Sequence, residues 1–359
     1  MRYIITAGGT GGHIYPAISI INKIKEMDKN SKFLYIGTTD RMEKDIIPNL
    51  NIDYVGINMC GLSKNPIKLL KFGKNMLLNV NKCKKIIKEF KPDIVIGVGG
   101  YVTAPVIIAS SKMNVPSILH EQNSVPGKAN RFLSSYATKI CISIPSSSKY
   151  FDSKKIVFTG NPRSEEIINT KKGDKKDYDL SLEKKLVLIT TGSLGSSTIN
   201  EKIVGMLNKF KDKSYEVLLV TGKSSYNDVR YKKVPSNVHV VSYVDNMGSI
   251  LKYTDLIISR AGATIISEIT ALGIPSILIP SPFVPYNHQY LNALYLKEND
   301  ACFLMEEKDF NEDLLLEEID KIMSDKVLYN NMKNKTKKIG VVDSCTKIYK
   351  VIEETIKEK

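Results

Sequence analysis

Ala7-Gly8-Gly9-Thr10-Gly11-Gly12-His13-Ile14-Tyr15-Pro16 gathers four glycines ahead of a histidine near the start of the chain. It follows a short apolar run, Tyr3-Ile4-Ile5-Thr6, and precedes a helical stripe of Ile14, Ala17, Ile18, Ile21 and Ile24. The glycines therefore lie at a strand-to-helix turn. Such a turn aims backbone N–H groups at whatever sits above the helix N-terminus, and the helix dipole favours a negative charge there. Four glycines within residues 8–12 let the backbone approach that object closely, so a phosphate is the expected guest. A tight turn without a ligand is the simpler alternative.

Spacing separates this loop from commoner cradles. The third glycine of a G-x-G-x-x-G dinucleotide fingerprint is out of register, and no Lys-Ser/Thr pair follows to make a Walker A loop. Asp40 arrives about thirty residues after the glycines, late for the ribose-binding acid of a dinucleotide site, expected about twenty on. What the loop does carry is His13, in the first helical turn, able to exchange a proton near neutral pH. The pattern points to catalysis on a phosphorylated molecule.

Length and composition narrow the classes. At 359 residues two domains are expected, and an apolar fraction of 42% is ordinary for a soluble protein. No stretch approaches the roughly 18 to 20 apolar residues of a spanning helix. Met1-Arg2-Tyr3-Ile4 enters the first strand directly, so no leader is expected and the cytosol is the expected compartment. Cysteines 60, 83, 141, 302 and 345 are scattered without a C-x-x-C pair, and the histidines and carboxylates lack ligand spacing. No disulfide framework, metal or cofactor is expected. The formal charge of +14 invites a polyanion, yet only six of the 52 basic residues are arginine and no nucleic-acid-binding motif is present. Nucleic acid is not expected as a partner; an anionic membrane surface is the better candidate. Three of the scarce arginines, Arg131, Arg163 and Arg260, fall in or beside motifs, where a planar bidentate donor does what lysine cannot.

Along the chain the strand-loop-helix pattern repeats. Residues 68–91 read as an amphipathic helix with Leu69, Phe72, Met76, Leu77, Val80 and Ile87 among many lysines, either a cover for the sheet or an interfacial membrane patch. Strand 92–97 leads to a second glycine turn, Gly99-Gly100-Tyr101. Strand 115–119 ends in His120-Glu121-Gln122-Asn123, polar groups at the sheet edge where doubly wound folds place ligands. Gly160-Asn161-Pro162-Arg163 breaks the pattern and marks a domain boundary, and the polar residues 170–183 read as a surface insertion. The second half restarts with strand 185–190 and loop Thr191-Gly192-Ser193-Leu194-Gly195, and later offers Arg260-Ala261-Gly262-Ala263-Thr264 as another phosphate cradle. Two successive Rossmann-like halves imply a cleft between domains, one holding a diphosphate donor and the other an acceptor.

The ordered set Gly8–His13 with Pro16, Gly99-Gly100-Tyr101, His120–Asn123, Gly160–Arg163, Gly192-Ser193 with Gly195, Arg260–Ala263 with Ser267-Glu268, and His288-Gln289 with Asn292-Ala293 resembles the inverting glycosyltransferases of the two-domain GT-B architecture. It is most similar to the N-acetylglucosaminyltransferases of peptidoglycan synthesis, which make lipid II from lipid I. The motifs run from residue 8 to 293. The resemblance implies an α/β GT-B fold with two Rossmann-like domains facing a cleft. The expected domains are 1–160 with a returning helix at 341–359, and 161–340. Two departures stand out: the Gly160 motif lacks an extra residue that some relatives have, and His288 replaces a glutamine.

The resemblance also implies the partners: UDP-N-acetylglucosamine, lipid I (undecaprenyl-diphosphate-muramoyl-peptide) and the cytoplasmic face of the cell membrane, met peripherally through Leu69, Phe72, Met76 and Leu77. In the C-terminal half Ser193, Ala263 and Thr264 would contact the diphosphate, the Val244 backbone the uracil, Glu268 the ribose and Gln289 the sugar. Thr10, Gly11, Gly12, Asn123 and Arg163 would complete the site from the other side of the cleft. The 4-hydroxyl of the muramoyl sugar attacks the anomeric carbon and UDP leaves. His13 is the preferred base, because an imidazole titrates near working pH, and Glu121 is the runner-up. A glycolipid synthase or UDP-sugar epimerase of the same architecture is the nearest alternative, and a nucleotide- or NAD-binding protein without catalysis the more distant one.

Overall fold

The structure is a computed structural model that describes residues 1–59, 61, 66–191, 197–223 and 225–358, the side chains of 66–71, 197 and 228 aside. The chain divides into two units, Met1–Arg163 with Asp343–Lys359, and Ser164–Val342.

The first unit is built on seven parallel strands, β1 (Arg2–Ala7), β2 (Lys32–Thr38), β3 (Asp53–Ile57), β4 (Ile94–Gly99), β5 (Ser117–Glu121), β6 (Lys139–Ile142) and β7 (Ile156–Phe158). Their order is β3-β2-β1-β4-β5-β6-β7, so the direction of winding reverses between β1 and β4. Being covered on both faces, these strands are apolar runs rather than alternating ones. Helix α1 (Gly11–Met27) covers one face with the fully buried Ile14, Ala17, Ile20, Ile21 and Ile24. Each such isoleucine contributes roughly 2 kcal/mol of burial. The C-terminal helix (Ser344–Lys357) returns to this face and adds Ile348, Tyr349, Val351 and Ile352 to the same cluster. A short helix α2 (Glu43–Ile46) follows β2. The helices α3 (Pro66–Phe90), α4 (Thr103–Lys112) and α5 (Lys128–Leu133) complete the set, and their buried side chains join the cluster built on Ile4, Leu34, Ile36, Val95 and Leu119.

The second unit repeats the plan with β8 (Leu186–Thr190), β9 (Glu216–Val220), β10 (Val238–Val241), β11 (Leu256–Ser259), β12 (Ser276–Leu278) and β13 (Phe303–Leu304), all parallel in the order β10-β9-β8-β11-β12-β13. Its helices are α6 (Arg163–Asn169), α7 (Ser197–Met206), α8 (Met247–Leu251), α9 (Ala263–Leu272), α10 (His288–Glu298), α11 (Glu312–Ser324) and α12 (Lys326–Ile339). The winding reverses between β8 and β11, so Thr191 and residues 260–262 follow the two strands that flank the switch point.

Residues 170–183, expected as a surface insertion, are mostly exposed but pinned to the second unit at a few points. Lys175 is buried and its ammonium donates to the carbonyls of Ser181 (3.1 Å) and Lys184 (2.8 Å), while Leu180 enters the core and the Ser181 amide donates to Glu216. Two anchoring side chains, Tyr178 and Leu180, are too few to produce a readable period, so the packing is invisible in the pattern. Cys83, Cys141, Cys302 and Cys345 are buried.

Candidate active site

In the first unit the two glycine turns meet at the switch point. The Gly8 amide donates to the Gly99 carbonyl (3.2 Å), extending the β1–β4 ladder past the bulge at Thr6/Ala7. Gly100, at φ +91°, lies so close that a Cβ would strike the Gly8 carbonyl. Gly99, at φ +120°, lies against the imidazole of His13, where a Cβ would stand 2.6 Å from Nδ1. His13 is the third residue of α1, half-buried, and its ring rests on the backbone of the second turn. Thr10 occupies the N-cap with extended backbone and makes no capping bond with its hydroxyl. Gly11 and Gly12 form the first turn. The Arg163 guanidinium sits 5.9 Å from the ring centre of Tyr15 on the same helix, and the Arg163 amide donates to Asn161 Oδ1 (3.1 Å).

The polar row after β5 divides into a buried network and one half-exposed residue. His120 and Glu121 belong to the strand, and with Gln122 they are buried; Asn123 alone is half-exposed. Gln122 Nε2 donates to the Val98 carbonyl (2.8 Å) and lies 3.1 Å from His120 Nδ1. An amide nitrogen only donates, so Nδ1 accepts, and the proton of neutral His120 is on Nε2, facing the Gly160 carbonyl at 3.1 Å. Burial pushes this histidine down to about 4, with the nearby His13 acting in the same direction. Glu121 accepts four bonds, from the Asn123 amide (3.0 Å), Asn123 Nδ2 (3.3 Å), the Gly127 amide (3.3 Å) and Asn130 Nδ2 (2.9 Å). Burial raises its carboxyl above the usual range. Its oxygens are directed into the 121–130 loop, and that geometry makes Glu121 a holder of Asn123.

In the second unit Ala263 and Thr264 are the first two residues of α9, whose N-cap Gly262 makes no side-chain bond. Glu268 lies one turn further, buried. Val244 puts its side chain into the core and so has its backbone to offer. Gln289, in the first turn of α10, accepts the Ser281 amide on Oε1 (2.9 Å), which turns Nε2 toward other acceptors. The neighbouring His288 shares its Nδ1 with the Pro285 carbonyl at 2.8 Å, and burial lowers its affinity for a proton. Ser193, expected at the diphosphate, lies outside the described residues, as does the side chain of Leu69.

Two acids carry contacts that the sequence pattern gave no reason to single out. Glu307 pairs with Arg260 and accepts from Thr198, and Glu43 sits beneath the first glycine loop. Both connect residues far apart in the chain, which local spacing does not reveal. One Asp-x-Asp triplet is present, Asp177-Tyr178-Asp179, with both carboxylates on the surface. Among the described residues no group of three His, Cys, Asp or Glu gathers as a metal site.

Of the expected membrane residues, Phe72 and Met76 are half-buried and pack against the core of the first unit. They share a helical stripe with Val80, Cys83 and Ile87, and that stripe packs into the core cluster shared with α4 and the sheet. Leu77 and Leu78 point outward, 67% and 58% exposed. No described helix is long and apolar enough to cross a membrane.

Two parallel-sheet units, each wound about a switch point that carries a glycine turn, are the build of a GT-B glycosyltransferase. Residues 3–142 match the glycosyltransferase family 28 N-terminal domain and 186–346 the family 28 C-terminal domain, and the chain belongs to this family. A relative from Bacillus subtilis (strain 168) is 42% identical over 360 residues, covering 99% of each chain. One from Bacillus cereus is 43% identical over 366 residues, covering all of both. Each is named a UDP-N-acetylglucosamine--N-acetylmuramyl-(pentapeptide) pyrophosphoryl-undecaprenol N-acetylglucosamine transferase. A crystal structure of Acinetobacter baumannii MurG superposes with a TM-score of 0.81 over 98% of this chain and 99% of that one, at 24% identity. A UDP-GlcNAc 2-epimerase from Neisseria meningitidis gives 0.70 over the whole of both chains at 16% identity, the same fold on a distant sequence.

Proposed function

We propose that the chain transfers N-acetylglucosamine from UDP-N-acetylglucosamine to the 4-hydroxyl of the muramoyl sugar of lipid I, with inversion, giving lipid II at the cytoplasmic face of the membrane. One observation carries the reading: relatives named for this reaction match at 42% identity across 99% of both chains.

The first unit supplies the base. His13 Nε2 removes the proton of the attacking hydroxyl as the bond to the anomeric carbon forms, while Nδ1 faces the Gly99 backbone. The buried carboxylate of Glu121 is spent on the loop that presents Asn123, which favours His13 over Glu121 in this role. Thr10, Gly11, Gly12, Asn123 and Arg163, all on this unit, are the proposed contacts with the reacting substrates. The second unit holds the donor. Amides at the start of α9, at Ala263 and Thr264, and the dipole of that ten-residue helix offset the charge that develops on departing UDP. Glu268 takes the ribose hydroxyls, the Val244 backbone the uracil, and the Gln289 amide the sugar hydroxyls, with Ser193 at the diphosphate.

The membrane contact proposed here is Leu77 and Leu78 with the exposed Lys74, Lys85 and Lys88 of α3. This narrows the apolar patch expected from the sequence to its outward residues. The test of the reaction is UDP release with and without lipid I. Release that requires lipid I and yields lipid II supports the reading. Conversion of UDP-N-acetylglucosamine to another UDP-sugar without acceptor would make the chain an epimerase instead.

A further inference from the structure

The first glycine loop rests on a buried carboxyl group. Glu43, at the start of α2, is fully buried, and both of its carboxylate oxygens act as acceptors. Oε1 takes the amide (3.0 Å) and hydroxyl (2.7 Å) of Thr38 at the end of β2, and Oε2 takes the amide of Gly9 (3.3 Å). The packing around it is shaped for this side chain. A Cβ on Gly8 would strike Glu43 Oε1, and one on Gly37 would stand 2.8 Å from its Cγ. The Thr38 hydroxyl in turn accepts the Arg41 amide (3.1 Å), so the β2–α2 turn is folded around the same carboxylate.

The Gly9 amide, which the sequence pattern offers to a phosphate, is therefore bound from beneath by the protein. A carboxyl acceptor beneath a glycine turn does for the backbone what a bound phosphate does elsewhere: it fixes the direction of the Gly9 N–H. Gly9 adopts φ +93°, and two residues later α1 begins, carrying His13. We propose that Glu43 is a positioning residue for catalysis. It holds the Gly8–Thr10 turn in the shape that delivers His13 to the Gly99 backbone, and it acts without touching substrate. The proposal rests on the reading of His13 as base.

Glu43→Gln in the full-length protein is the test, because glutamine keeps the shape yet offers one acceptor where two are used, and its amide nitrogen would face an N–H donor to donor. Expected are a fall in kcat of at least tenfold, a donor KM and a calorimetric UDP affinity within twofold of wild type, and faster hydrogen exchange of the Gly9 amide. On a His13→Ala background the same change should cost less than a further twofold. Thr38→Val, which removes the hydroxyl's bonds to Glu43 and to the Arg41 amide but leaves the carboxyl and its Gly9 bond in place, should move kcat in the same direction by a smaller factor should Glu43→Gln fold poorly. Unchanged kcat, a parallel loss of UDP affinity, or full additivity with His13→Ala overturns the proposal. A His13→Ala enzyme with near-normal kcat would instead remove the base assignment, an outcome seen in that variant alone.

Discussion

Arg260 and Glu307 form an ion pair 2.6 Å long in the second unit, with both side chains nearly buried. Arg260 Nη1 also donates to the Ile279 carbonyl (3.1 Å), and the other oxygen of Glu307 accepts the Thr198 hydroxyl (2.9 Å). Glu307 thus ties the turn before α9 to the start of α7, the helix that follows the glycine loop of β8. Removing one member of a buried pair strands the other charge, at a cost of about 3 to 5 kcal/mol. Glu307→Gln should lower stability by an amount of that order in urea titrations and weaken UDP binding at least fivefold. Stability and UDP affinity equal to wild type would show that the pair holds neither loop.

His120 gives folding a pH dependence. Its folded value is about 4 against an ordinary 6.5, so between these values the unfolded chain binds more protons. The stabilisation is present above about 6.5 and is lost as pH falls toward 4. From pH 7.5 to 5 the loss amounts to about 2 kcal/mol. Glu121, raised by burial, has the opposite slope, so the comparison must be with a variant. Urea unfolding at both pH values should show a drop in wild type larger by about that amount than in His120→Gln. Equal drops would mean that His120 is not held neutral.

Gly99 is predicted to matter through His13. Alanine there must both strain a backbone at φ +120° and push the imidazole, 2.6 Å from the new carbon. Misplacing a catalytic group by about an ångström costs on the order of a hundredfold, so kcat of Gly99→Ala should fall at least tenfold. Donor affinity, proposed to reside mainly in the other unit, should stay within twofold by calorimetry. A variant with normal turnover would show that His13 tolerates displacement.

Membrane attachment should depend on Leu77 and Leu78. Each lysine near an anionic surface adds roughly 1 kcal/mol, a contribution that salt screens. Binding to vesicles should rise with anionic lipid, fall with salt, and drop several-fold on Leu77→Glu with Tm unchanged. Phe72→Glu should instead lower Tm, since Phe72 packs on the core. Normal vesicle binding by Leu77→Glu would place the contact elsewhere.

The strand-glycine-helix punctuation at residues 3–24 was legible because three local signals coincide there, an apolar run, glycines and a 3.6-residue period. The same signals announced β8 and β11, and with them both units. What spacing could not supply was direction. His120, Glu121 and Gln122 read as polar groups at the sheet edge where ligands bind, yet the strand continues through Glu121 and buries them in bonds to Val98, Gly160 and Asn130. Glu43 looked like an ordinary acid in a first helical turn. Its partner Gly9 is 34 residues away, brought close only because β2 pairs with β1. Phe72 and Leu77 are equally apolar in sequence, and only the core packed against α3, built by α4 and the sheet, decides which one faces inward.

The measurement that tests the account most directly is transfer by His13→Ala at saturating donor and lipid I, beside its calorimetric affinity for UDP. A general base is worth about a hundredfold or more, so kcat should fall by that factor while the UDP dissociation constant stays within twofold. A variant that turns over within a few-fold of wild type, or that loses UDP binding while single-turnover transfer persists, would contradict the assignment of His13 as the base.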